Sequence, residues 1–192
     1  MTVQNFSVKR CLVLLAAIAV SLFSTVGCKK SKVDNPLPVV KEEKTVEEGD
    51  STVYGECIDA AMNSLTLLTN SGDTIEYVFV GDDGDADVQG GQFMGDKMAV
   101  VGVQGEEENT AHKVINITSL MGRWTSLDKN FEIKDGGVVE SNVAAESNPY
   151  TSWKIFNGHL ILSKDTFDIV NLDKDSLYLE NDKGIFAFKR QM

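Results

Sequence analysis

From residue 51 onward the chain runs as short apolar or alternating segments separated by clusters of Gly, Asn and Asp, and no window sustains the spacing of a helix face. That punctuation predicts an all-β protein. Five strands are expected in residues 51–117, reading STVYGECI, SLTLLT, TIEYVFV, KMAVVGV and AHKVINIT, with the turn NSGD at Asn70 to Asp73 between the second and third. Eight shorter strands that almost touch follow in residues 118–192: GRWTSL, FEIKD, VVESNV, TSWKIFN, HLILSK, DTFDIVN, SLYLEN and GIFAFKR. Asn157-Gly158 is the strongest hairpin signal in the chain and joins the fourth and fifth of these. The spacing leaves no room for crossover helices, so the second block is expected to be an up-and-down antiparallel barrel or a strongly curved sheet.

Alternation within each strand assigns an inward face. In the second block it selects Trp153 and Ile155, Leu160 and Leu162, Phe167 and Ile169, Leu177 and Leu179, and Phe186 and Phe188. An eight-stranded barrel has room either for packed side chains or for one small ligand, and ten bulky apolar groups favour the packed interior.

The first fifty residues follow different rules. MTVQNFSVKR carries no acid and ends in Lys9 and Arg10, and Cys11 to Phe23 form an uncharged apolar run broken only by Ser21. A run of this length falls short of the ~20 residues that span a bilayer, and the order of charged, apolar and small segments is that of an export signal. Residues 29–50 mix Lys and Glu with Pro36 and Pro38 and lack the apolar surface of a core, which predicts a linker with an end-to-end distance of ~25 Å. The alternative is a segment that docks on the first barrel through LPVV. The expected organisation is therefore a signal at 1–27, a linker at 28–50, and two small antiparallel β-barrel domains in tandem at 51–117 and 118–192.

Removing residues 1–27 leaves 165 residues and takes away two cations, so the formal charge moves from −11 to −13. Acidity on this scale disfavours nucleic acid and anionic lipid surfaces, which are held by basic patches. Of three cysteines, Cys11 leaves with the signal and Cys28 stands at the processing point, so Cys57 is left without a partner for an internal disulfide. A packed strand cysteine is the expected role for Cys57.

Two resemblances add to this reading. STVG followed by Cys28 resembles the lipobox of bacterial lipoproteins, with Thr25 where that family usually carries an aliphatic residue. The resemblance implies that Cys28 receives a diacylglycerol thioether and that the mature chain is anchored to the membrane there, since two or more acyl chains hold stably. Gly122-Arg123-Trp124 looks like the G-x-W that opens the first strand of lipocalins, and Arg190 falls in phase with Phe186 and Phe188 on the last strand. In lipocalins a basic residue of the final strand crosses the ring of that Trp, which implies barrel closure by Gly122, Trp124 and Arg190. The second block thus resembles a compact lipocalin-like domain of the kind found in lipoproteins of the Bacteroides group, at about half a full lipocalin's length. If it holds a pocket, Trp124, Trp153, Phe167 and Tyr178 are expected near the walls or mouth, and a small lipophilic molecule would suit them. The first block resembles an OB-like barrel in strand count alone.

No catalytic constellation emerges. Asp83, Asp85 and Asp87 in GDDGDADVQGG resemble the opening of a calcium loop, but the sixth-position Gly is missing and the twelfth position is Met94. A solvated acidic turn and no resident metal or cofactor are expected. His112 and His159 are placed at strand starts, outside any zinc spacing, and Glu106 to Glu108 read as a charged turn. The expected function is that of a non-catalytic cell-envelope lipoprotein that binds or scaffolds, through an outer surface or the groove between its barrels. A carrier of a small lipophilic ligand is the alternative and a hydrolase a distant third. Lys29 lacks the aspartate that resembles an inner-membrane retention signal, and KKSK lacks the acidic cluster that marks surface export, so an outer-membrane site facing the periplasm is expected.

Overall fold

The structure, a computed structural model, describes residues 49–80, 86–142 and 148–191. The signal, Cys28, nearly all of the linker, and Asp83 and Asp85 lie outside the described residues. Among the described residues no helix is long and apolar enough to cross a membrane.

Six strands build the first barrel: β1 (Val53–Ala61), β2 (Ser64–Thr69), β3 (Thr74–Phe79), β4 (Asp87–Gln89), β5 (Lys97–Gln104) and β6 (Asn109–Asn116). β1, β2 and β3 form an antiparallel meander, β5 joins the free edge of β1, and β6 follows β5. A parallel contact of Val78 and Phe79 with Thr110 and Ala111 then closes five strands into a ring. β4 continues that edge, pairing in parallel with Lys113 to Ile115. It was not expected: three residues beside an acidic loop carry no alternation to read, and the pairing to β6 creates the strand.

The interior of this barrel is Cys57, Leu65, Leu67, Tyr77, Met98, Val100, Ala111 and Val114. Along β5, Met98, Ala99, Val100 and Val101 are all buried. A strand covered on one face alternates, and one covered on both reads as a continuous apolar run. Met98 and Val100 face the first core, whereas Ala99 of β5 and Ile115 of β6 belong to the core of the second barrel.

Between the barrels the chain turns through α1 (Ile117–Leu120). The strand expected to reach Thr118 stops instead at Asn116, whose side chain accepts from Ser119 N at 2.8 Å and donates to Asp96 Oδ2 at 2.6 Å and Gly91 O at 3.2 Å. This fully buried amide caps the helix, as Asn does by preference, and ties it to the β4–β5 loop.

The second barrel comprises β7 (Gly122–Thr125), β8 (Asn130–Lys134), β9 (Val138–Ser141), β10 (Trp153–Phe156), β11 (His159–Leu162), β12 (Asp165–Leu172), β13 (Ser176–Asn181) and β14 (Gly184–Arg190). Every neighbour is antiparallel, in the order β10-β11-β12-β13-β14-β7-β8-β9. The remaining seam is crossed by the Val138–Ser152 bridge and a bond from Val139 N to Thr151 O of 3.1 Å. The result is a nearly closed eight-stranded barrel. Asn157 and Gly158 adopt φ of 48° and 78°, the doubly left-handed backbone that makes Asn-Gly the favoured two-residue hairpin.

Candidate functional site

Strand direction fixes two unlike ends of the second barrel. Its turns at 135–137, 157–158 and 173–175, with the start of β7 and the end of β14, lie at one end. The turns at 126–129, 163–164 and 182–183 lie at the other.

The first end is sealed. Trp124 is fully buried, donates through Nε1 to Leu120 O at 2.8 Å, and carries the Arg190 guanidinium 4.2 Å from its ring centroid. Arg190 Nε donates to Lys174 O at 2.6 Å, Nη1 to Met121 O at 2.8 Å, and Nη2 to Ser119 O. Burial pushes the Arg190 pKa below its ordinary value, with a smaller opposing effect from Asp175. Gly122 explains the first letter of its motif: it sits at φ +123°, and a Cβ there would lie 2.6 Å from Arg190 Nη1. The absent side chain is the space the guanidinium occupies.

Outside this closure lies the first barrel. Ala99, Ile115, Ile117 and Leu120 join the same apolar cluster as Trp124, Leu172 and Phe188. Tyr54 donates its hydroxyl to Ile155 O, Asn157 N donates to Asp50 Oδ1 at 3.1 Å, and Asn157 Oδ1 accepts from Ser51 N at 2.7 Å. Gly90 N donates to Leu172 O at 2.9 Å, and Leu172 N to Gln89 Oε1 at 2.8 Å. Polar bonds at the β10–β11 turn and at the end of β12 thus flank an apolar contact.

The other end is a mouth. A depression of about 430 Å³ opens there between Asn148–Ser152 and Ser163–Asp165. Tyr150, nearly buried, forms its base, with Lys129 Nζ 4.5 Å from the ring centroid. Beneath it the aromatic rings meet edge to face: Phe131 with Tyr150 at 5.4 Å and Phe188 at 5.2 Å, and Phe167 with Tyr150 at 6.3 Å and Phe186 at 5.7 Å. These rings and the aliphatic residues of the strands fill the space below the mouth.

A second depression, of about 520 Å³, lies where the two barrels meet. Phe93 and Gly91 border it from the first barrel, Thr118 from α1, and Asp173 to Asp175 with Arg190 from the second barrel.

The expected site residues distribute unevenly over this frame. Trp124 belongs to the sealed end and lies against Arg190. Phe167 belongs to the aromatic cluster under the mouth. Trp153, half-buried, donates Nε1 to Lys134 O at 2.6 Å beside the β9–β10 seam. Tyr178 is not a lining residue: it stands between the inward Leu177 and Leu179, pairs with Ala187, and is exposed on the outer face. His112 is not at a strand start but fourth in β6, with an exposed side chain. His159 opens β11, its Nδ1 2.6 Å from Asp168 Oδ1 at the surface. Asp87 is engaged by Lys113 Nζ at 3.2 Å and by Gln89 Nε2, and among the described residues no cluster of three or more His, Cys, Asp or Glu is placed to hold a metal. Cys57 is buried and its pKa is raised, chiefly by desolvation. Tyr150 was missed, because it follows Pro149 in a segment without alternation, and so was the Phe93 loop.

No curated protein and no solved structure matches the chain. A family model described as lipocalin-like matches residues 116–191, from the cap of α1 to the end of β14, and the C-terminal barrel is accordingly lipocalin-like.

Proposed function

We propose that the chain is a non-catalytic cell-envelope lipoprotein, tethered through Cys28 and residues 29–50, that binds or scaffolds through the free surfaces of its two barrels. The observation that carries this reading is the asymmetry of the lipocalin-like barrel. Its Trp124–Arg190 end is covered by the first barrel, while among the described residues its opposite end carries a depression and its interior is occupied by side chains. A filled interior favours recognition at the mouth and at the barrel junction over storage inside.

The first barrel is read as OB-like, supported by its five-strand ring with a parallel closing pair. Its nucleic-acid associations do not come with that reading, because the chain is acidic. The outer membrane, facing the periplasm, is the proposed location, and Cys28→Ala is expected to release the protein into the soluble fraction.

A carrier of one small lipophilic molecule is the second reading, favoured by the aromatic cluster below Tyr150 and by the lipocalin-like match. Native mass spectrometry of protein purified without denaturant separates the two. Bare protein mass and no displacement of an apolar dye support the surface reading, and a retained lipophilic mass released by Phe167→Ala supports the carrier.

A further inference from the structure

The depression at the barrel junction combines three chemistries in a volume suited to a small ligand. Phe93, 62% exposed, presents an apolar side chain. Asp173 and Asp175 bring two carboxylates, and Lys174 and Arg190 bring two cations, so the charges balance within one site. Arg190 uses three of its five N–H donors on the carbonyls of Lys174, Met121 and Ser119, which leaves one on each terminal nitrogen.

The surround is built rather than loose. Ser119 Oγ donates to Gly90 O at 2.9 Å, Asp173 N donates to Ser176 O at 2.8 Å, and Arg190 N donates to Asp175 O at 2.9 Å. These bonds fix the β4–β5 loop to α1 and the β12–β13 turn to β14. Within the balanced set, an anion alone meets Asp173 and Asp175, and a cation alone meets Lys174 and Arg190. A molecule carrying both charges a few ångströms apart satisfies all four.

We propose that this junction binds a small zwitterion with an apolar side chain, an α-amino acid of the aromatic or large aliphatic type. Its carboxylate takes the Arg190 and Lys174 donors, its ammonium group meets Asp173 or Asp175, and its side chain lies on Phe93. The inference rests on reading the protein as a binding module, but it uses a surface separate from the mouth.

The test is calorimetric titration of the mature protein with L-phenylalanine, alongside N-acetyl-phenylalanine amide, which lacks both charges. The expected result is saturable binding of the free amino acid, at least tenfold weaker binding of the blocked compound, and at least tenfold loss in Phe93→Ser and in Asp175→Asn. Glu107→Gln in the exposed turn between β5 and β6 is expected to change nothing. No heat from free L-phenylalanine up to roughly 10 mM, ten times a Kd of about 1 mM, would overturn the proposal. So would binding that ignores Phe93→Ser and Asp175→Asn. Either failure leaves the binding-module reading standing if native mass spectrometry shows bare protein and no dye displacement, and that reading falls too if a lipophilic mass released by Phe167→Ala is retained.

Discussion

Arg190→Ala removes the group on which closure of the lipocalin-like barrel depends. The guanidinium stacks on a fully buried indole at 4.2 Å and donates to three carbonyls. A cation over Trp contributes ~0.5–2 kcal/mol. Hydrogen bonds from a charged donor contribute ~1.5–3 kcal/mol each, although water can replace the one to Lys174 O, which lies in an exposed turn. The acceptors at Ser119 and Met121 are part-buried, so water replaces the lost donors there less readily, and removing the side chain also exposes one face of Trp124. Together these losses predict a destabilisation of ~3–5 kcal/mol, roughly a 10 °C drop in Tm for a chain of this size. Urea unfolding followed by tryptophan fluorescence measures it. Arg190→Lys keeps the charge but not the planar fork and is expected to recover less than half of the loss. A loss below ~1 kcal/mol for Ala, or a Lys variant equal to the wild type, would refute the argument that the stacked, forked guanidinium closes the barrel.

Further outcomes follow from the same geometry. Gly122→Ala is expected to cost ~2–3 kcal/mol, from its left-handed φ and its approach to Arg190 Nη1, and markedly less in an Arg190→Ala background, where only the backbone strain remains. A double-mutant cycle by urea denaturation checks this. Tyr54→Phe leaves Ile155 O without its hydroxyl donor and is expected to cost ~1 kcal/mol by the same method. The buried Cys57 thiol, with its raised pKa, is expected to resist a thiol reagent at pH 8 until the protein unfolds. Because its folded pKa lies above the unfolded value of ~8.5, its contribution to stability is intact below that pH and is lost as pH rises toward the folded value. A Cys57→Ala variant should show a shallower alkaline decline.

How much of this was legible in the sequence depends on what each pattern encodes. Alternation in Trp153 to Phe156, His159 to Leu162 and Ser176 to Asn181 marks which side chains turn inward, and Ile155, Leu160, Leu162, Leu177 and Leu179 are buried accordingly. Trp124 and Arg190 were paired by resemblance and by phase, and they stack. Alternation does not encode what covers the outside of a strand. The run Met98 to Val101 held that information as an unbroken apolar stretch, and its meaning required the second barrel to lie against β5. The helix at 117–120 depends on one side chain, Asn116, whose capping role is invisible inside a strand-like stretch. Tyr178 lies outside by the same period-two phase that turns Leu177 and Leu179 inward.

The described residues belong to one compact unit, in which the first barrel supplies the floor of the second through Ala99, Ile115, Ile117 and Leu120. Hydrogen exchange of individual amides through a urea series tests this most directly, in the wild type and in Ala99→Asp, which places a charge in the shared contact. The slowest amides of β2 and of β13 are expected to report the same opening free energy, and Ala99→Asp to lower both together. Distinct free energies for the two barrels, with β13 unmoved by Ala99→Asp, would contradict it.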